Sequence, residues 1–357
     1  MASRKLCFFI CLFAVAPATA AELRPYASAD SLTYTQPIAI KSMLHDWQPP
    51  FVGGDTALSY DKLEIGIQWN DWQLGLFERH DYQLAFSPDT AEIVYLTENH
   101  LPLPTGRDYE LRIHARNNVS RGLRAGFHQT LLPTLNFGLA VSYLQGVSLT
   151  DGQINGTASV IAANDYDFHF DTRYHYSRDV LFERSVSAPS GQGYSLDLHL
   201  DWRPNQRFNA SLDAIDLAAR IYWRNAPVTD AVASSATKSY DEDGYVRYEP
   251  AISGREAYEN FTQTLPRKLL FNSQYHYNDT VSLLAEWHDY GVADFVNLGL
   301  GWQQGLNGLF QTLYNPQTQA LILRYRNQAL SLELGSDQLD PARARFFSLQ
   351  FSYHQRF

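Results

Sequence analysis

The sequence has little cysteine, little charge and only one long apolar run. Its 357 residues include 2 cysteines, and Asp, Glu, Lys and Arg together make up 18% of the chain. A soluble globular domain usually carries about 25% charged residues. The lack of a second long apolar run excludes a bundle of transmembrane helices. Disorder is also excluded, because hydrophobic residues form 45% of the chain and aromatic residues 14%.

Basic surfaces and enzyme signatures are missing as well. Acidic residues outnumber basic residues by 38 to 28, which excludes nucleic acid as a partner. The sequence has no G-x-S-x-G elbow, H-E-x-x-H motif, P-loop or dinucleotide fingerprint. Ser142 and His128 could form a lipase pair on neighbouring strands, but both fall on the polar face of the pattern described below. We therefore expect no enzymatic activity, no cofactor and no metal site.

The apolar run has the features of a secretory signal peptide. Arg4 and Lys5 precede the apolar segment 6–16, and Ala18-Thr19-Ala20 forms an A-x-A cleavage site. The apolar segment is too short to span a bilayer as a helix. We expect residues 1–20 to be removed on export. Both cysteines lie in this segment, so the mature chain is expected to have no disulfide.

Beyond this segment, apolar and polar residues alternate with a period of two, which is typical of strands with two different faces. In segment 166–176 aromatic residues alternate with Asp, His and Arg, and segment 194–202 repeats the pattern with Leu, Tyr and Trp. A closed sheet with its apolar face toward lipid satisfies every backbone group. The sequence therefore predicts an all-β fold, a transmembrane antiparallel up-and-down β-barrel.

Turn and loop signals predict the strand number and the organisation of the chain. They divide the barrel into about 18 strands, with about 16 as the alternative. Loops are expected near 117–120, 146–152 and 224–265, the last being far longer than an ordinary loop. Residues 57–357 would form the barrel, and residues 21–56 either a first strand or a plug.

Tryptophan residues are expected at the two membrane interfaces, where aromatic side chains form bands in such barrels. Four tryptophans flank short turns, and two lie at the opposite strand ends. The first group is Trp69, Trp72, Trp202 and Trp302, and the second is Trp223 and Trp287. This arrangement predicts one band at each interface.

The polar face of the strands carries two groups of charged residues. The acidic wall is Asp167, Asp171, Asp197, Asp201 and Asp213, and the basic wall is Arg112, Arg116, Arg124, Arg324 and Arg326. Opposite walls of unlike charge would set a transverse field across an open pore. Alternatively, these groups form ion pairs that fill the barrel. The long loop adds an acidic cluster, Asp241, Glu242 and Asp243, which could narrow the pore or bind a surface ligand.

The C-terminal segment resembles the assembly signal of Gram-negative outer-membrane β-barrel proteins. Four apolar residues alternate with polar ones: Phe347, Leu349, Phe351 and Tyr353. The chain ends at Phe357, and Gln355 departs from the pattern, which usually has an apolar residue there. The resemblance implies a porin-like barrel that lies in outer-membrane lipid and is recognised by the barrel assembly machinery. It extends over nearly the whole mature chain but indicates no narrower family.

The expected function is passive passage of small hydrophilic solutes across the outer membrane of a Gram-negative bacterium. The alternative is a non-conducting barrel that serves export, envelope assembly or surface binding through the loop 224–265. Neither the solute nor the oligomeric state follows from the sequence.

Deletion of Phe357 tests the assembly signal. We expect the deletion to lower the amount of folded barrel in the outer membrane severalfold, because the assembly machinery would recognise the chain less well. The measurement is the fraction of heat-modifiable protein on gels of purified outer membranes, with Arg356→Ala as the control. An unchanged folded fraction would show that Phe357 carries no signal.

Overall fold

The computed structural model describes residues 23–162, 165–236, 238–243, 245–248, 252–304 and 308–354. The predicted signal peptide and Phe357 lie outside these ranges. Two helices are present among the described residues, α1 (Ile40–Met43) and α2 (Pro88–Glu98). No helix in this part of the chain is long and apolar enough to cross a membrane.

Strands form most of the described chain. They are β1 (Leu23–Thr35), β2 (Thr56–Trp69), β3 (Trp72–Phe86), β4 (Asp108–Leu132), β5 (Leu135–Ala162), β6 (Asp165–Tyr176), β7 (Ser190–Trp202), β8 (Phe208–Ile215), β9 (Arg220–Ser234), β10 (Lys238–Tyr240), β11 (Val246–Tyr248), β12 (Ile252–Thr264), β13 (Lys268–His276), β14 (Val281–Asp289), β15 (Asp294–Gln304), β16 (Gly308–Asn315), β17 (Ala320–Arg326), β18 (Leu330–Ser336) and β19 (Phe346–His354).

The strands close into a barrel. A 17-stranded sheet contains all of them except the small β10–β11 hairpin. The sheet closes because β1 pairs antiparallel with β2 on one side and with β19 on the other. The predicted all-β antiparallel barrel is confirmed, and the 17 strands lie between the two predicted numbers. We call the end with the N-terminus of β1 and the C-terminus of β19 the short-turn end, and the other the long-loop end.

Three pairs of strands run end to end along shared partners. Both β6 and β7 pair with β5, both β8 and β9 pair with β7, and β12 and β13 pair with β9 and β8. Three of the 17 strands thus continue a preceding one, so the chain passes along the wall fourteen times. An even number of passes leaves both ends of the sheet at the short-turn end, an arrangement that outer-membrane barrels also have.

Two of the segments predicted to be loops form strands instead. Segments 117–120 and 146–152 lie inside β4 and β5, which pair with each other almost from end to end. Within these segments the register shifts where Val119 and Ser120 of β4 face Ser148 and Gly146 of β5. These segments are rich in polar residues and glycine, but a bulge absorbs the irregularity and the ladder of hydrogen bonds continues.

The predicted loop 224–265 is wrong for most of its length. Its two sides form part of β9 and all of β12, which pair with each other and extend the wall at the long-loop end. The hairpin β10–β11 lies between them. Asp241 of the predicted acidic cluster accepts backbone hydrogen bonds from Asp243 and Tyr245, which forms the turn between β10 and β11. The acidic cluster therefore lies at the tip of a hairpin.

The N-terminal segment provides a wall strand. After β1, the chain packs against α2 through Met43, Trp47 and Phe51. Ser87 caps α2 by accepting the backbone N–H of Thr90 at 3.2 Å, as expected for a serine at the N-cap. The two helices thus cover one edge of the wall at the long-loop end.

The outer face of the strands carries a row of exposed apolar residues. Leu63, Ile65, Ile67 and Trp69 of β2 are all exposed, and Glu64 between them is buried. The same order repeats around the sheet, which is the reverse of a soluble sandwich and is required in lipid. Trp69, Trp72, Trp202 and Trp302 form the predicted band at the short-turn end, and Trp287 is exposed near the other end. Trp223 is the exception, because it is 1% exposed and lies inside the barrel.

The segment between β6 and β7 leaves the wall and folds back against it. Tyr174 donates a hydrogen bond to Asp179 at 2.8 Å, and Arg184 pairs with the same carboxylate and with Glu256 of β12. Burial opposes ionisation of Asp179, but hydrogen bonds from Arg184, the Phe182 amide and Tyr174 outweigh it and lower its pKa to about 2. This segment is therefore held in place as an ionised cluster at neutral pH.

A matched pair of substitutions tests the lipid-facing surface. Leu298 is 55% exposed on the outer face of β15, and Leu339 is fully exposed in the connection between β18 and β19. We expect Leu298→Arg to destabilise the barrel by about 2–4 kcal/mol, because it places a charge in hydrocarbon. Leu339→Arg should have little effect. Urea unfolding in liposomes measures both, and equal destabilisation would contradict the assigned lipid face.

Candidate functional site: the barrel lumen

The inner face of the barrel is lined by polar and charged side chains. Since the outer face is apolar, these are the groups available for binding or transport. Most of them are buried, including Glu64, Arg79, Asp216, Lys268 and Glu286. Burial of so many charges requires that they pair with one another.

A central ion cluster lies beside the break between β8 and β9 and the start of β13. Lys268 Nζ, at the start of β13, lies 2.7 Å from Asp81 Oδ1 and 3.1 Å from Asp216 Oδ2. Arg79 Nη1 donates to Asp216 Oδ1 at 3.0 Å, and Ser195 donates to the same oxygen at 2.7 Å. Asp216 lies between β8 and β9 in the left-handed region, with φ of 59°. The break between these strands thus turns a carboxylate toward two cations of the lumen.

Two further clusters line the wall nearer the short-turn end. Arg324 of β17 donates to Glu286 at 2.8 Å and to Glu333 at 2.7 Å. Glu64 of β2 lies 2.6 Å from Lys62 Nζ and accepts the Tyr26 hydroxyl at the same distance. These groups neutralise one another inside the barrel.

Apolar side chains fill the lumen nearer the long-loop end. One cluster contains Leu32, Leu58, Tyr60, Tyr290, Phe295, Ala320 and Phe346. The second cluster surrounds Trp223, whose Nε1 donates to Gln263 at 3.2 Å. Gly146 and Gly191 lie against the indole, and a Cβ at either glycine would overlap it. The lumen is therefore narrowed by packed rings as well as by ion pairs.

Two adjoining cavities lie inside the barrel in the part of the chain that the structure describes. The first has a volume of about 320 Å³ and lies beneath Tyr290 and Phe295, and the second, of about 350 Å³, extends toward Arg203 and Asn209 near a short turn. Both are lined by Asp213, Asn272, Arg324 and Arg326. The shared residues place the two cavities next to each other along the lumen.

The structure divides the predicted acidic wall between two regions. Asp213 lines both cavities and Asp201 lines the second. Asp197 faces the lumen as well, 3.5 Å from Arg124. Asp167 and Asp171 lie on β6, in the extension of the wall at the long-loop end, and line neither cavity.

The basic wall is also divided. Arg324 and Arg326 line the cavities, whereas Arg112 and Arg116 belong to the extension, where Arg112 pairs with Glu110. The predicted separation into opposite walls is wrong, because Arg124 contacts Asp197 and Arg324 contacts two glutamates. Arg79, Asp81, Glu286 and Glu333 were not predicted. Glu286 and Glu333 fall on the polar face of alternating strands, but Arg79 and Asp81 lie in the polar run 78–81, where the period of two does not separate the faces.

The C-terminal strand has the predicted alternation. Phe347, Leu349 and Tyr353 are exposed on the outer face of β19, and Phe346 and Ser348 are buried on the inner face. Phe351 shares the outer face by its position in the strand. The signal itself stays a prediction.

Comparisons with known proteins give a likeness of fold. No protein-family model matches the chain. No curated protein matches it either. One similar solved structure is the TodX deltaS2S3 mutant monoaromatic hydrocarbon channel, which is 10% identical in sequence. The match covers 94% of this chain and 90% of that chain, with a TM-score of 0.46. The Pseudomonas putida toluene transporter TodX matches with 10% identity, coverage of 95% and 91% and a TM-score of 0.42.

A third solved structure, a Pseudomonas aeruginosa FadL homologue, matches with 11% identity, coverage of 93% and 89% and a TM-score of 0.36. At these values the likeness assigns neither a family nor an activity to this chain.

Removal of one member of the central ion cluster tests its importance. We expect Lys268→Met to destabilise the barrel by about 3–5 kcal/mol, because Asp81 and Asp216 then share the single cation Arg79 and one buried negative charge is left uncompensated. Arg207→Met, in the exposed turn between β7 and β8, is the control. Adding Asp216→Asn to Lys268→Met should recover part of the loss. Strictly additive effects in a double-mutant cycle of urea midpoints would show that the two residues do not interact.

Proposed function

We propose that this protein is an outer-membrane β-barrel that transports small polar solutes through a narrow lumen. The apolar outer surface and the band of tryptophan at the short-turn end support a position in a bilayer. The polar inner face supports the passage of polar rather than lipid-like molecules. The observation that carries the proposal is the pair of adjoining polar cavities, both lined by Asp213, Asn272, Arg324 and Arg326.

The dimensions of the lumen favour small solutes. The cavities, about 320 and 350 Å³, lie at the lower end of the range of small-molecule sites, about 300–1,000 Å³. The central ion cluster beside them is almost inaccessible, with side-chain exposures of 0–5%. A solute must therefore pass along the cavities, and we expect a low conductance rather than that of a wide pore.

The connection between β14 and β15 closes the first cavity toward the long-loop end. Tyr290 follows β14, and its ring packs against Tyr60 and Phe295, each with a centroid separation of 6.1 Å. Gln83 of β3 donates a hydrogen bond to the Tyr290 carbonyl from across the lumen. The Tyr290 ring is thus held over the first cavity.

The second candidate function is a non-conducting barrel that serves export, envelope assembly or surface binding. The packed ion and apolar clusters of the lumen favour it. The β9–β12 hairpin, which extends the wall at the long-loop end, offers a surface for a partner.

Conductance of the refolded chain in planar bilayers separates the two functions. We expect a small, stable conductance for the natural sequence and a severalfold rise for Tyr290→Ala, because the substitution removes the ring over the first cavity. Trp287→Ala, on the lipid-facing side of β14, is the matched control. Silence of all three proteins, with folding confirmed by heat modifiability, would refute transport and support the non-conducting barrel.

A further inference from the structure

Two charged side chains in the cavities have no partner among the described residues. Arg326 of β17 lines both cavities, and Asp30 of β1 lines the first. Within the described chain, neither side chain forms a hydrogen bond or an ion pair. Such groups are unusual in a narrow lumen, because each gives up part of its hydration without a hydrogen bond or ion pair in return.

The other charges of the cavities are already paired. Lys62 lies directly opposite Asp30 in the sheet, but its ammonium group contacts Glu64 at 2.6 Å. Asp213 contacts His199 at 2.6 Å, and Asp201 contacts Arg203 at 2.9 Å. Arg324 contacts Glu286 and Glu333. This leaves one cation and one anion available to a ligand.

The separation of the two free charges limits the ligand. Asp30 lies in register with Gln350, Glu333 and Arg324 across β19, β18 and β17. Arg326 is two residues further along β17, toward the short-turn end. Three steps between neighbouring strands span about 14 Å along the wall. The long Arg326 side chain shortens this gap, but an α-amino acid, whose charges lie on one carbon atom, cannot bridge it.

The lining between the two charges includes apolar surface. Leu270, Ile322 and Phe346 face the first cavity beside the rings of Tyr290 and Phe295. Such a lining favours a ligand with an organic body over a hydrated inorganic ion.

We propose that the lumen binds a zwitterion with separated charges, such as a short peptide, with its carboxylate on Arg326 and its ammonium group on Asp30. This inference rests on the proposed transport function and names its solute class. An extended tripeptide places its terminal charges about 10 Å apart. Its backbone can also bond to Asn272, which both cavities share.

Binding of trialanine to the detergent-solubilised full mature chain tests the proposal by titration calorimetry. We expect trialanine to bind at least about tenfold more tightly than N-acetyl-trialanine, trialanine amide or alanine, since each of these lacks one charge or the separation. This comparison uses the natural sequence alone and so does not depend on the folding of a variant. Equal binding of all four, or no binding of any, would overturn the solute class.

Two substitutions assign each end of the ligand. In Asp30→Asn the preference for trialanine over its N-acetyl form should disappear, while the preference over the amide remains. Arg326→Gln should have the opposite effect. The controls Asp279→Asn and Arg207→Gln, in exposed turns at the short-turn end, should leave both preferences unchanged. Preferences that survive in both site variants would show that the peptide binds elsewhere.

Permeation of trialanine and glycerol into liposomes separates failure of this inference from failure of the proposed function. Glycerol entry without trialanine binding would reject the zwitterion and keep the transport function. Trialanine binding with no entry of either solute would reject transport and leave a peptide-binding barrel. No binding and no entry would reject both.

Discussion

The structure depends on one constraint: a wall that is apolar on the outside leaves the lumen as the only place for charged side chains within the membrane-spanning part. Closure satisfies the backbone, so the remaining electrostatic cost comes from side chains that share a narrow space. The lumen meets this cost by pairing. Arg79, Asp81, Asp216 and Lys268 form one unit, and Arg324 binds two glutamates in another.

Pairing also explains why the lumen is not an open pore. Ion pairs formed across the inner face hold side chains in the middle of the barrel, and the aromatic clusters fill the space nearer the long-loop end. What remains is a pair of cavities with polar walls. In this setting Asp30 and Arg326, which have no partner among the described residues, are the charges on which the proposed peptide site depends.

The interrupted strands have a part in this arrangement. Where β8 gives way to β9, Asp216 turns into the lumen and joins the central cluster. Further toward the long-loop end, β6 gives way to β7, and Trp223 of the neighbouring β9 lies against Gly146 and Gly191. The irregular backbone after β8 places the buried carboxylate of Asp216, whereas Trp223 points inward by the ordinary alternation of β9. The interruptions are thus structural features of the lumen as well as of the wall.

The sequence by itself determined the fold class and the direction of most side chains, because a period of two assigns each residue to one face. It therefore predicted the outward Trp69, Trp72, Trp202 and Trp302 and the inward Asp213, Arg324 and Arg326. Only the tertiary structure decided where the strands end. Asn117-Asn118 and the glycines near 146–152 have the composition of turns, but they lie within the paired ladder of β4 and β5. It also decided which charges meet. Arg124 reaches Asp197, and Lys268 reaches Asp81 and Asp216, across strands that are distant in the chain. Pairing across a closed sheet depends on register and closure, which local periodicity does not encode.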